Sequence, residues 1–228
     1  MKVAICLSGL IKKYNNNTFL NNLKSIPIEY DIFCHTWDYC DISLLDLPNV
    51  KIIHTEPNLN AFNNVSVDQF KKIDMNTTPE NVLSMFYSMN QCIDLVEKFE
   101  TEHNFKYDLV IRSRYDIQFN LLNKSPYDNR DIQTDLFNLG INDMDIIMPL
   151  TGFWVGKSMD LPIGIRRVAD SFFVGDKSCR LLQKTYSYLN EINQVYSPYI
   201  HPEMLVAYSC EYFGLNIKLE NFECNIVR

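Results

Sequence analysis

The feature that most limits what this chain can become is an unbroken apolar run near its start. Val3-Ala4-Ile5-Cys6-Leu7 carries no polar side chain and stops at Ser8-Gly9. A half-exposed strand alternates apolar and polar residues. A continuous run suits a strand buried on both faces, as in a parallel sheet covered from both sides. Related runs recur along the chain. Tyr30 to Trp37 reads as a second strand, Val50 to His54 as a third stopped by Pro57, and Tyr107 to Ile111 as a fourth. Asp145 to Leu150 and Val168 to Val174 extend the series. Helical signals fall between them. Apolar residues at 82, 83, 86, 89, 93, 95, 96 and 99 share one helix face. Ahead of them Thr78-Pro79-Glu80 supplies an N-cap residue and a proline for the first helical position. Lys177 to Leu189 has helical spacing, and Pro202 to Phe213 predicts a helix closing at Gly214 as its C-cap. Segments 56 to 80 and 151 to 164 read as loop, the latter from its three glycines and one proline. Strands alternating with helices predict an α/β fold with a mostly parallel central sheet and helices on both faces.

At 228 residues the expected organisation is a single domain spanning 1–228. The net charge of −7 gives no basic excess of the kind used to grip a polyanion, which disfavours nucleic acid as a partner. A small phosphate ligand needs only a local cluster of cations. Seven cysteines occur without a C-x-x-C pair, and several sit inside apolar runs. They read as reduced thiols of a cytoplasmic protein rather than as zinc ligands. No window reaches the roughly 20 apolar residues of a transmembrane segment, and no secretory signal is expected from MKVAICLSGL. Neither G-x-G-x-x-G nor a P-loop is present.

The segment richest in chemistry is Tyr107 to Phe119, where an apolar strand delivers Arg112, Arg114 and Asp116 in alternation. Residues two apart on a strand share a face. If the strand runs that far, two guanidiniums and a carboxylate meet near its C-terminal end, where open α/β sheets bind ligands. Such a set suits a metal-held diphosphate, with arginines forking onto phosphate oxygens and the carboxylate holding a hard cation. The plainer alternative is a self-neutralising Arg–Asp pair. Ser8 and Gly9 end the first strand and can offer backbone N–H groups to a base or phosphate. Trp37 ends the second strand, either lining a nucleotide site or packing in the core. Asp170, inside ADSFFVG, is a candidate general base or a turn cap. His201 precedes the last helix and is a candidate metal ligand, while Glu203 is favoured in a first helical turn by the macrodipole alone.

The ordered series KVAICLSG, YDIFCHTW, YDLVIRSRYDI, ADSFFVG and HPEMLVAY resembles small glycosyltransferases of bacterial polysaccharide clusters and large DNA viruses. These are similar to enzymes of the GT-A type, with a Rossmann-like domain. The resemblance implies a nucleoside-diphosphate sugar donor, a glycan or lipid-linked acceptor, and a divalent metal, manganese or magnesium, bound by a D-x-D motif. The matching triplet here is Arg114-Tyr115-Asp116, so the first carboxylate of that motif is replaced by arginine. The departure puts metal dependence in question and gives Arg114 part of the charge neutralisation. By the same resemblance Asp170 corresponds to an acceptor-side carboxylate and His201 to a late metal or phosphate ligand. Two other functions compete: a nucleotidyltransferase, for which Ser8-Gly9 is a thin substitute for a Gly-rich basic loop, and a non-catalytic nucleotide- or glycan-binding module.

Overall fold

A computed structural model describes residues 1–11, 22–23, 26, 28–47, 49–70, 77–120, 141–149, 172–220 and 223–226. The predicted strands form where the apolar runs lie: β1 at Val3–Ser8, β2 at Tyr30–Trp37, β3 at Val50–Glu56 and β4 at Leu109–Ser113. β5 (Ile117–Asn120), β6 (Asp145–Pro149), β7 (Phe172–Gly175), β8 (Asn216–Glu220) and β9 (Glu223–Ile226) follow. Seven strands make one sheet in the order β3-β2-β1-β4-β7-β6-β8, and β5 pairs with β9 in a separate two-stranded ribbon. β1 is parallel to both β2 and β4, β2 to β3, and β6 to β8. β7 runs antiparallel to β4 and β6. The sheet is therefore mostly parallel, with one reversed strand that apolar runs alone cannot reveal, since they encode burial and not direction.

Helix α1 (Pro79–His103) begins as the sequence predicts, with Thr78 Oγ1 accepting from the Asn81 amide at 3.3 Å and Pro79 in the first turn. It ends at Asn104 in the left-handed region at φ 53°. Its buried face, including Leu83, Phe86, Met89, Ile93 and Val96, packs on one side of the sheet against Ala4, Cys6, Phe33 and Val110. Each such side chain contributes about 1.5–3 kcal/mol relative to exposure. The opposite side is covered by residues including Leu23, Ile26 and Leu45, which meet Val3, Ile5, Leu7, Ile32 and Ile111. Leu23 lies in a helical turn and Leu45 in a 3-10 turn, so helical segments stand on both faces. The alternation of β1 between these two cores is what an unbroken apolar run requires.

The segment Lys177 to Leu189, predicted as one helix, is broken. α2 covers Lys177–Gln183, a 3-10 stretch covers Lys184–Tyr188, and α3 covers Leu189–Tyr196. Gly175, just ahead of α2, has no room for a side chain: a Cβ there would collide with Ser178 Oγ and press on the Asp145 carbonyl at 3.0 Å. α4 (Pro202–Phe213) closes at Gly214, φ 66°, as predicted. Cys6, Cys34, Cys92, Cys179 and Cys210 are buried free thiols. Among the described residues no helix is long and apolar enough to cross a membrane.

The strand order creates a switch point. The chain moves outward from β1 through β2 to β3, then returns to place β4 on the other flank of β1. Connections on the two sides depart in opposite directions, and open α/β sheets take their ligands outside the carboxyl ends of the strands at such a point, here those of β1 and β4.

Candidate functional site at the carboxyl edge of the sheet

β4 ends at Ser113, one residue short of the alternation expected for Arg112, Arg114 and Asp116. The three side chains therefore do not project together, which corrects that expectation. Arg112, still in the strand, is fully buried, its guanidinium 5.7 Å from the centre of the Phe173 ring. Arg114 and Asp116 lie in the turn that follows. Arg114 Nε donates to Asp116 Oδ1 at 2.8 Å and its Nη2 to Asp116 Oδ2 at 2.6 Å, a bidentate fork. Asp116 is nearly buried, whereas the Arg114 side chain is 31% exposed. The Arg–Asp pair raised as the plainer reading of the sequence is thus formed. A metal ion on Asp116 must compete with this guanidinium.

His201 caps α4 from an extended backbone, and its Nδ1 lies 2.7 Å from Glu203 Oε2. Burial raises the Glu203 carboxyl, but the His201 hydrogen bond and charge, its own backbone amide and the nearby charge of Arg114 bring it below the usual range. The direction of α4 sets its start toward the carboxyl edge, since its C-terminus leads within three residues into β8, whose Asn216 pairs with Asp145 at the opposite edge.

The end of β1 closes the crevice from the other flank. Gly9 has φ 111°, open to glycine and strained for other residues. Its N–H donates to the His35 carbonyl at 3.2 Å and its carbonyl accepts from Thr36 Oγ1 at 2.8 Å. That N–H is therefore committed within the sheet. Ser8 is buried, and its Oγ has no hydrogen-bond partner among the described residues. Tyr115, between Arg114 and Asp116, turns into the core and sets its hydroxyl 3.1 Å from the Leu7 carbonyl and 3.2 Å from the His35 carbonyl. This contact ties the Arg114–Asp116 turn to the ends of β1 and β2.

A second cluster lies on β2 and β3. The parallel register sets His35 beside His54 and Trp37 beside Glu56. His54 and Glu56, two apart on β3, share a face. His35 Nε2 is 2.8 Å and His54 Nε2 3.6 Å from Glu56 Oε1. The three ligand-type atoms lie within 4.8 Å of one another and can hold a divalent metal. α1 supports them from below: Ser88 Oγ is 2.7 Å from His35 Nδ1, and Tyr87 donates to Glu56 Oε2 at 2.9 Å, which Asn60 also reaches. Burial pushes the His35 imidazole down to about 4, against the pull of Glu56, so it is neutral at neutral pH. Burial raises Glu56, but hydrogen bonds from Asn60, His35 and Tyr87 outweigh it and leave the carboxyl below its usual value. Trp37 is buried, edge-on to His35 at 5.2 Å and stacked on Tyr87 at 6.1 Å, a core position rather than an open platform.

Of the residues singled out in the sequence, Arg114 and Asp116 form one pair just after β4, Ser8 and Gly9 end the neighbouring strand β1, and His201 stands at the start of α4. Arg112 and Trp37 belong to the core beneath. Asp170 and the 151–164 loop lie outside the described residues; Phe172, two positions after Asp170, opens β7 at the same carboxyl edge. Sequence reasoning did not single out His54 or Glu56. The available signal was the His-x-Glu alternation at the end of β3, which acquires meaning only once β3 is registered against His35. No protein-family model and no curated protein matches this chain.

Proposed function

We propose that this chain transfers a sugar from a nucleoside-diphosphate sugar to a hydroxyl acceptor, with the donor diphosphate bound outside the ends of β1 and β4. The observation that carries the reading is the bidentate Arg114–Asp116 fork, partly open to water just after β4, with the His201–Glu203 pair at the start of α4 toward the same edge. Open α/β sheets take their ligands there. A partly exposed guanidinium and the N-terminus of α4 are both favourable for phosphate oxygens. The mostly parallel sheet suits the GT-A type that the sequence resembles.

In this reading Arg114 swings from Asp116 onto the departing diphosphate, where it stabilises the charge that grows as the glycosidic bond breaks. Asp116 keeps that guanidinium in place before the donor arrives and becomes available to a manganese or magnesium ion once it leaves. His201 adds a donor or a ligand beside it. Asp170 takes the proton of the acceptor hydroxyl in an inverting reaction. Ser8, with its buried Oγ at the end of β1, faces the donor's nucleoside side of the crevice.

The test is a panel of nucleoside-diphosphate sugars with manganese, magnesium or chelator, read as nucleoside diphosphate released. Release with one donor, lost in Asp116→Asn, is the expected result. Absence of binding by every nucleoside diphosphate in titration calorimetry would sink the proposal. Pyrophosphate released from a nucleoside triphosphate would assign nucleotidyl transfer instead.

A further inference from the structure

We propose that His35, His54 and Glu56 form a second, independent site for a first-row divalent metal of the zinc type. The three ligand atoms come from adjacent parallel strands, so their spacing is fixed by backbone register and not by loops. His35 sits beside His54 and reaches diagonally across β2 and β3 to Glu56, with Nε2 and Oε1 at 2.8 Å, and His54 Nε2 stands 3.6 Å from the same oxygen. An ion bound at about 2.0–2.2 Å from each donor requires only a small opening of this triangle.

The outer contacts already point the donors inward. His35 Nδ1 is held by Ser88 Oγ, which leaves Nε2 for the ion. Ser88 Oγ also lies 3.4 Å from the His35 carbonyl, so its hydroxyl can turn there while it accepts the Nδ1 proton. Tyr87 and Asn60 occupy Glu56 Oε2 and leave Oε1 facing the two imidazoles. Metal-bound histidine and carboxylate ligands commonly carry such partners, which fix tautomer and orientation.

Exposure is graded across the cluster: His35 is 0% exposed, Glu56 12% and His54 44%. One side is closed by protein and the other opens to water, which supplies a fourth ligand. Two imidazoles and a carboxylate select zinc, cobalt or nickel over magnesium or calcium, which prefer all-oxygen sets. The site is distinct from Asp116. β2 and β4 flank β1, so their backbones stand about 10 Å apart at two strand spacings.

The experiment titrates zinc alone, without nucleotide, into the chelator-treated full chain by calorimetry, then records the visible spectrum after cobalt substitution. One equivalent of zinc and a cobalt spectrum of low-symmetry, four- or five-coordinate type are expected. His54→Ala, at a half-exposed position, and Glu56→Gln should each weaken zinc at least as much as the about 10–100-fold that loss of an outer partner costs. Ser88→Ala should fall within that range. Asp116→Asn and His201→Ala should bind zinc as the parent does. Circular dichroism checks each fold, and His54→Ala carries the test if Glu56→Gln unfolds. Failure of the parent to bind zinc or cobalt stoichiometrically, or undiminished binding by His54→Ala, overturns the site. Loss of binding in Asp116→Asn with His54→Ala unaffected overturns it too. Because no donor sugar is present, this outcome is read separately from the fate of the glycosyl-transfer proposal.

Discussion

The two edges of the central sheet use charged groups in opposite ways. At the amino edge the carboxylates are closed off by strong cations and backbone. Glu100, fully buried at the end of α1, accepts from both ends of the Arg180 guanidinium at 2.8 and 2.9 Å, from Lys106 at 3.0 Å and from the Tyr107 amide at 2.8 Å. Asp145 is held by Lys218 at 2.6 Å and by the amide and side chain of Asn142, both at 2.9 Å. Asp31 takes Lys51 at 3.1 Å and the Tyr107 hydroxyl at 2.6 Å. At the carboxyl edge Glu56 and Glu203 face imidazoles, and Asp116 is held by a guanidinium that is one-third open to water. Closed pairs of the first kind join elements together. Groups of the second kind have partners that a ligand or an ion can replace.

The sharpest way to break this comparison is at Glu100. Glu100→Ala leaves the largely buried Arg180 with only the more distant Asp176 carboxylate, 3.4 Å from its Nε, and should destabilise the fold by about 3–5 kcal/mol. Urea unfolding followed by circular dichroism measures it; a loss below 1 kcal/mol would mean the amino edge is not held by this pair. Next in size is Asp116→Asn. If the carboxyl edge is the working one, sugar transfer should drop by about 10²–10³-fold, the scale of losing one preorganised electrostatic group. The melting temperature should hardly change. Equal losses in both readouts would erase the distinction between the edges.

Arg112 in β4 and Arg114 in the turn after it divide along the same line. Arg112→Ala removes a large, fully buried side chain and should cost about 2–5 kcal/mol of stability, as other core truncations do. Arg114→Ala breaks a partly exposed pair, which is worth about 0–1 kcal/mol, and should weaken donor binding instead. Identical behaviour of the two variants, in unfolding and in donor titration, would show that their burial does not decide their roles. The smallest effect is one of pH. Asp145 is lowered from its ordinary 3.8 to about 2 by Lys218 and Asn142. A carboxyl whose folded value is depressed contributes stability above its unfolded value, and that contribution fades as pH falls from about 4 to 2. Asp145→Asn should therefore be less stable than the parent at pH 6 and converge with it near pH 2. Parallel stability curves over that window would remove Asp145 from the acid response.

Much of the scaffold was legible because burial leaves a periodic trace. The limits of β2 at Tyr30 and Trp37, the Thr78-Pro79 start of α1 and the Gly214 stop of α4 follow from apolar runs and capping chemistry. β8 left a fainter trace, a five-residue alternation of Ile217 and Leu219 with Asn216, Lys218 and Glu220 in a strand that is at best half-buried. The reversed direction of β7 depends on pairing, which no local pattern encodes. The burial of Arg112 left no trace in the sequence, because arginine is seldom fully buried, and only the end of β4 at Ser113 separates it from Arg114. The His35–His54–Glu56 cluster needed the register of β2 on β3, a long-range fact assembled from residues 19 to 21 apart.

The reversed strand also governs how freely this protein can vary. Because β6 runs upward and β7 downward, Pro149 and Phe172 both stand at the carboxyl rim. The chain between them departs from and returns to the rim that carries both clusters. For a flexible connection anchored at both ends on one rim, doubling the length adds only about 0.6 kcal/mol of closure entropy. Two strand ends fixed at one rim thus let a segment added between Pro149 and Phe172 reach the ligand edge while β6 and β7 keep their pairing.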